Sequence, residues 1–128
     1  MAAGVFVFTA LELLLLEHTE TLVQWIAFGL CALGLGCAVI LLKSPSRRQL
    51  NAARMSAGVI ILGTLYGIVE HVLHNMELEL EIRPSATWMD VIWPSLTGAA
   101  PLLASGILIV GALLLAASTK ESRPPSQA

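Results

Sequence analysis

Polar residues break this chain at a few places only, and the apolar stretches between them are long. Residues 2–18 are apolar apart from Thr9, Glu12 and the closing Glu17-His18, and residues 22–42 carry Gln24 as their one strongly polar side chain. Residues 55–74 run without a charge until Glu70, and residues 98–117 hold no charge at all. At 1.5 Å per residue, a helix of about 20 residues crosses a hydrocarbon layer of about 30 Å. The pattern therefore predicts four membrane-spanning helices. The first is the shortest, and a helix lying in the interface is its rival reading. No basic residue precedes it and no small-residue cleavage site ends it, so a removable signal peptide is not expected.

The interruptions set the turns. An unbroken helix over residues 2–42 would be about 60 Å long, twice the membrane thickness, so the chain reverses at Glu17-His18-Thr19-Glu20-Thr21. Thr19 or Thr21 is placed to cap the following helix. Residues 43–54 contain Pro45, Lys43, Arg47, Arg48 and Arg54 with no acid, which predicts a short positive loop on the cytoplasmic side. Residues 75–83 alternate Met76, Leu78, Leu80 and Ile82 with Glu77, Glu79 and Glu81. Period two suggests a strand, whereas Met, Leu and Glu favour helix, and a lone strand cannot remain in lipid. The expectation is a short acidic segment at the membrane surface, helical or extended. Beyond Pro84-Ser85, the helical spacing of Trp88, Val91, Ile92 and Leu96 predicts a short amphipathic helix. Pro94, Gly98 and Pro101 then bend the chain into the last span. Residues 120–128 read as a disordered cytoplasmic tail behind a membrane domain of residues 1–119.

Composition agrees with lipid as the solvent. Hydrophobic residues make up 56% and charged residues 12% of the 128, with a mean hydropathy of +0.80. A soluble domain this small lacks the interior to hide so much apolar surface. The net charge of −2 conceals a sorting along the chain. Lys43, Arg47, Arg48, Arg54, Lys120 and Arg123 fall on one side of the four spans, with Glu121. Glu17, Glu20, Glu70, Glu77, Glu79, Glu81 and Asp90 fall on the other, with Arg83. The positive-inside rule then predicts a multi-pass protein of the cytoplasmic membrane with both termini in the cytoplasm. Trp25, Trp88 and Trp93 are read as anchors at headgroup depth on the outer side. No Lys/Arg cluster with interleaved aromatics is present, so nucleic acid is not an expected partner. Cys31 and Cys37 are six residues apart, about 9 Å along a helix, too far for a disulfide and read as packing residues.

Chemistry concentrates in residues 63–81, which hold two of the three histidines and four of the nine acids. On a helix, Tyr66, Glu70, His74, Glu77 and Glu81 fall on one stripe, and Gly63 and Gly67 extend it with the spacing of a close helix contact. The stripe is expected to face the bundle interior. Glu17, His18, Glu70, His71 and His74 could form a divalent-metal or proton site at the outer ends of helices 1 and 3, since imidazole and carboxylate suit zinc, iron or manganese. The Glu-x-x-His pairing of di-iron bundles is not met, because residue 73 is Leu and residue 20 is Glu. The plain alternative is hydrated polar helix ends. Glu12, an acid inside a span, needs a protein partner, and Tyr66 at comparable depth is the expected one. Nucleophile elbows, phosphate-cradling glycine loops and Cys/His nucleophile pairs are all missing, so an enzyme is not the favoured reading.

The cadence Glu70-His71, then the run 75–84, then Leu96-Thr-Gly-Ala-Ala-Pro101 through Gly106, after Glu17-His18-Thr-Glu and Gln24-Trp25, resembles a group of small bacterial four-span membrane proteins without an assigned activity. The resemblance covers most of the chain. It implies a four-helix membrane fold and supplies no site or cofactor. The sequence thus predicts an all-α transmembrane four-helix bundle with a short acidic and amphipathic segment between helices 3 and 4. Its expected role is structural or accessory, with an acidic extracytoplasmic surface. Its partners would be the lipid bilayer and a larger membrane complex or further copies of itself. No cofactor is expected, a divalent metal belonging only to the alternative reading.

Overall fold

The computed structural model describes residues 1–17, 19–97 and 103–121. Five helices and no strand are present among them: α1 (Ala2–Leu15), α2 (Leu22–Leu41), α3 (Arg47–Ile82), α4 (Trp88–Thr97) and α5 (Leu103–Glu121). Two of these, α2 and α3, are long and apolar enough to cross a membrane, and 17% of the best stretch of each is buried. A core helix of a soluble protein would be mostly buried.

Local chemistry explains where the helices begin. Thr21 accepts a hydrogen bond from the Gln24 backbone N–H while Gln24 Oε1 accepts from the N–H of Thr21, a reciprocal cap that starts α2. Ser46 and Gln49 repeat the device at α3. The loop expected over residues 43–54 therefore shrinks to the few residues around Pro45, and Arg47 to Arg54 are helical. The turn after α1 has no glycine, and Glu17 itself takes the left-handed conformation, φ 52°. The first helix ends at Leu15 rather than residue 18, and His18 lies outside the described residues.

Of the two conformations left open for the acidic segment, it takes the helical one, but as part of α3 and not as a separate segment. Residues 75–82 continue α3, which runs for 36 residues, about 54 Å, without a break. Helix-forming Met, Leu and Glu prevail over the alternation because α4 packs on this stretch and buries Asn75 and Met76. What separates α3 from the last helix is α4, a helix in its own right. Pro94 lies within α4 rather than ending it. The bends expected at Gly98 and Pro101 lie outside the described residues, as do residues 122–128 of the expected tail, while α5 itself extends through Glu121.

α1, α2, α3 and α5 form a ring in which each helix touches two neighbours; α2 and α5 also meet across it, whereas α1 and α3 do not touch. The interior mixes small residues with large apolar ones. Phe6 is fully buried where α1, α2 and α5 meet: a Cβ on Gly34 would fall on its ring, and one on Gly111 would lie 3.1 Å from it. Ala38, Ala53, Ala57 and Ala112 are buried with Leu13, Leu30, Leu41, Leu50, Ile60, Leu108 and Leu115, while Ile26, Leu33, Val59, Leu62, Leu65 and Leu113 point outward. Buried hydroxyls are satisfied within their own helices, Thr9 donating to the Val5 carbonyl (2.9 Å) and Thr64 to that of Ile60 (2.7 Å). At one end the ring is tied by Arg54, whose Nε donates to Thr119 Oγ1 (2.9 Å). The same end holds a cavity of about 280 Å³ lined by Met1, Ala2, Ala38, Leu41, Leu115 and Ser118. The start of α1, the end of α2 and the end of α5 therefore lie together, beside the basic turn that opens α3.

Candidate functional site

At the opposite end α3 outruns its neighbours. Gly63 packs against Leu30, since a Cβ there would lie 2.9 Å from Leu30 Cδ1. Eight residues separate Leu30 from the start of α2 at Leu22, so α2 begins level with about residue 71 of α3. The last 11 or so residues of α3, about 16 Å, project beyond it. α4 folds back along this projection. Asn75 Nδ2 donates to the Ser95 carbonyl at 3.0 Å, a buried latch between the two helices, and Val91 and Ser95 are fully buried against α3. The start of α4 is held by Asp90, whose Oδ2 accepts from the Thr87 N–H (2.8 Å) and hydroxyl (2.7 Å). Those hydrogen bonds hold the Asp90 carboxyl below the usual aspartate range, and the charge of Arg83 adds to the effect. Arg83 also pairs with Glu79 one turn back, an exposed contact of little energetic weight.

This helical hairpin is the candidate site, and it is two-faced. Glu77, Glu81 and His74 are exposed on the side of α3 turned away from α4. On α4, Trp88, Met89, Ile92, Trp93 and Leu96 are exposed at spacings of i, i+1, i+4, i+5 and i+8, which is a single helix face. The other proposed anchor, Trp25, sits at the start of α2 with its ring N–H donating to the Thr19 carbonyl (3.1 Å) and its ring 5.5 Å from that of Phe28.

Several expectations are revised by this geometry. The stripe Tyr66, Glu70, His74, Glu77, Glu81 does not face the bundle interior. Its members are exposed, save the half-buried Glu70, and the inward seam of α3 runs instead through Ala53, Ala57, Ile60, Thr64 and Asn75. Gly67, unlike Gly63, meets nothing within 4 Å. The Glu12–Tyr66 pair does not form, because α1 and α3 make no contact and Tyr66 lies against Glu70 on its own helix. Glu12 keeps one carboxylate oxygen enclosed without a hydrogen-bond partner among the described residues. Of the metal candidates, Glu70, His71 and His74 lie on α3, with His71 half-buried, and Glu17 is exposed at the end of α1, on the far side of the ring. Among the described residues no three His, Cys, Asp or Glu side chains gather closely enough to hold an ion, and His18 lies outside them.

The latch Asn75–Ser95 and the clasp Arg54–Thr119 had no reading in the sequence. Asn75 carries the one usable signal, since it continues the inward seam from Thr64 at helical spacing once residues 75–82 are taken as helix. Comparison of the chain with protein-family models, with curated proteins and with solved structures gives no match in any of the three.

Proposed function

We propose that the protein is a multi-pass integral membrane protein in which α1, α2, α3 and α5 cross the cytoplasmic membrane, with both termini and the basic turn at Lys43–Arg48 inside. Its role is that of an accessory subunit, which offers the acidic α3–α4 hairpin to a larger membrane complex on the outer side. One observation carries the reading: large apolar side chains cover the outside of the bundle as well as filling its core. Leu13, Leu30, Leu41, Leu50, Ile60 and Leu108 are buried among alanine and glycine, while Ile26, Leu33, Val59, Leu62, Leu65 and Leu113 lie exposed on the outer faces. Water would penalise that arrangement and lipid does not. The segregation of basic residues at one end and acidic residues at the other supports the orientation. The resemblance to small bacterial four-span proteins implies the same architecture.

Labelling in whole cells with a membrane-impermeant maleimide tests the orientation, using single cysteines at Ser46 and Met89 in a background lacking Cys31 and Cys37. Met89→Cys should label in intact cells and Ser46→Cys only after permeabilisation; the reverse pattern overturns the orientation. Purification in mild detergent tests the role. A larger, stoichiometric assembly is expected, and a lone species overturns the accessory reading.

A further inference from the structure

We propose that Glu12 is a proton-binding site inside the membrane domain, its carboxyl holding a proton beside α5. This rests on the membrane-spanning reading above and adds to it a titratable group within the spans. Three observations converge on it.

The first is place. Val5 and Phe6 both lie against Gly111 of α5, and Phe6 lies against Gly34 of α2. Glu12 follows Val5 by two turns of helix and so stands on the same, α5-facing side of α1. It is about 9 Å further along α1 than Phe6, level with about residue 28 of α2 and residue 105 of α5. Since α2 starts at Leu22, that level is about 9 Å below the outer end of α2. The second observation is enclosure. Glu12 is half-buried, and its Oε2 is shut off from solvent with no hydrogen-bond partner among the described residues. Thr9, one turn before it and fully buried, gives its only hydroxyl proton to the Val5 carbonyl at 2.9 Å, so it has none for Glu12. An ionised carboxylate enclosed without a donor is far costlier than a neutral carboxyl.

The third observation is charge. The helices that touch α1 are α2 and α5. The titratable side chains on these elements are Glu17 in the turn after α1, Cys31 and Cys37 on α2, and Lys120 and Glu121 on α5. Lys120, the one cation of that set, is about 22 Å from the level of Glu12, at the other end of the bundle. No basic side chain therefore answers a negative charge there. A metal ion does not answer it either. Calcium and magnesium take about six or more oxygen ligands, and among the described residues no three His, Cys, Asp or Glu side chains gather to hold an ion. A proton needs only the one enclosed oxygen, and acids within spans are the groups that proton relays use.

The test uses the full chain in nanodiscs of zwitterionic lipid and the hydrophobic reagent dicyclohexylcarbodiimide. A carboxyl that holds a proton in lipid passes it to a carbodiimide nitrogen, and its oxygen then bonds to the carbodiimide carbon. Peptide mapping by mass spectrometry should find this adduct at Glu12, in a yield that falls as pH is raised and is indifferent to sodium. A water-soluble carbodiimide should modify the exposed Glu77 and Glu81 and spare Glu12. Infrared difference spectra at neutral pH should show a carboxylic-acid C=O band that Glu12→Gln lacks. The labelling is read on the unaltered chain, so it stands whether or not the variant folds. No adduct at Glu12, equal attack there by the water-soluble reagent, or a missing infrared band each overturns the proposal. Protection by sodium at constant pH overturns it too, by making a metal cation the occupant. A reversed maleimide pattern in a chain that still forms the Glu12 adduct would sink the orientation above and leave this site standing. An unreactive Glu12 in a chain with the expected maleimide pattern would do the opposite.

Discussion

At the scale of single residues, the tightest constraint is at Gly34. A methyl group there would occupy the space of the Phe6 ring, which is fully buried and closed in by Gly111 on the other side. Gly34→Ala should destabilise the bundle by about 1–3 kcal/mol, read as a lower melting temperature in detergent. Gly67→Ala should be neutral or slightly stabilising, because nothing lies within 4 Å and the helix loses an entropic weakness. Both glycines sit in plain view in the sequence, yet only the position of Phe6 on a different helix separates the essential one from the idle one. Asp90 gives a pH prediction. Its folded pKa is lowered by the Thr87 hydrogen bonds, so its contribution is present above the unfolded value and is lost as pH falls through the folded one. On acidification the start of α4 should loosen, seen as a shift in Trp88 and Trp93 emission in a Trp25→Phe background. Asp90→Ala should show the loosened emission at neutral pH and no further acid transition.

At the scale of the elements, two long-range contacts decide how helices pair. Arg54 donates to both the hydroxyl and the carbonyl of Thr119, at 2.9 and 3.4 Å, and so ties α3 to α5. Arg54→Ala should cost about 1–2 kcal/mol, and Arg54→Lys should recover only part, since an ammonium on a flexible stem does not reproduce the two-pronged donor. Thermal unfolding followed by circular dichroism reads both. At the other end, Asn75 holds the returning α4 through the Ser95 carbonyl. Asn75→Ala leaves that buried carbonyl unpaired and should free α4 while α3 stays helical, raising the acrylamide accessibility of Trp93. Neither contact can be read from spacing along the chain, because the partners are 65 and 20 residues apart.

At the scale of the molecule, the inequality of helix lengths is the governing fact. α1 has 14 residues, α2 has 20, and α3 has 36, so a bundle flush at its basic end must be ragged at the acidic one. The excess of α3 and the return of α4 make a stalk that carries both the acidic stripe and the tryptophan ridge. A chain in which the projecting end of α3, residues 72–82, and α4 are replaced by a short turn should keep the ring of four helices and lose association with any larger complex. Size-exclusion chromatography in detergent distinguishes that outcome from collapse of the fold.

The sequence by itself determined what each stretch prefers: apolar runs of a given length, helix-forming residues and clustered charges are additive along the chain, and each can be summed without knowing its neighbours. Hence the all-α class, the turn after α1 with a threonine cap, Thr19 or Thr21, and the helical α4 were legible beforehand; the structure chose Thr21. The tertiary structure alone decided which side of each helix faces another. It turned the Tyr66–Glu81 stripe outward, placed α1 and α3 too far apart for Glu12 to reach Tyr66, and made Gly34 rather than Gly67 the point of closest approach. Packing of rigid side chains is a many-body matter: a helix presents several comparably apolar sides, and the shape of its neighbours selects the one that is buried.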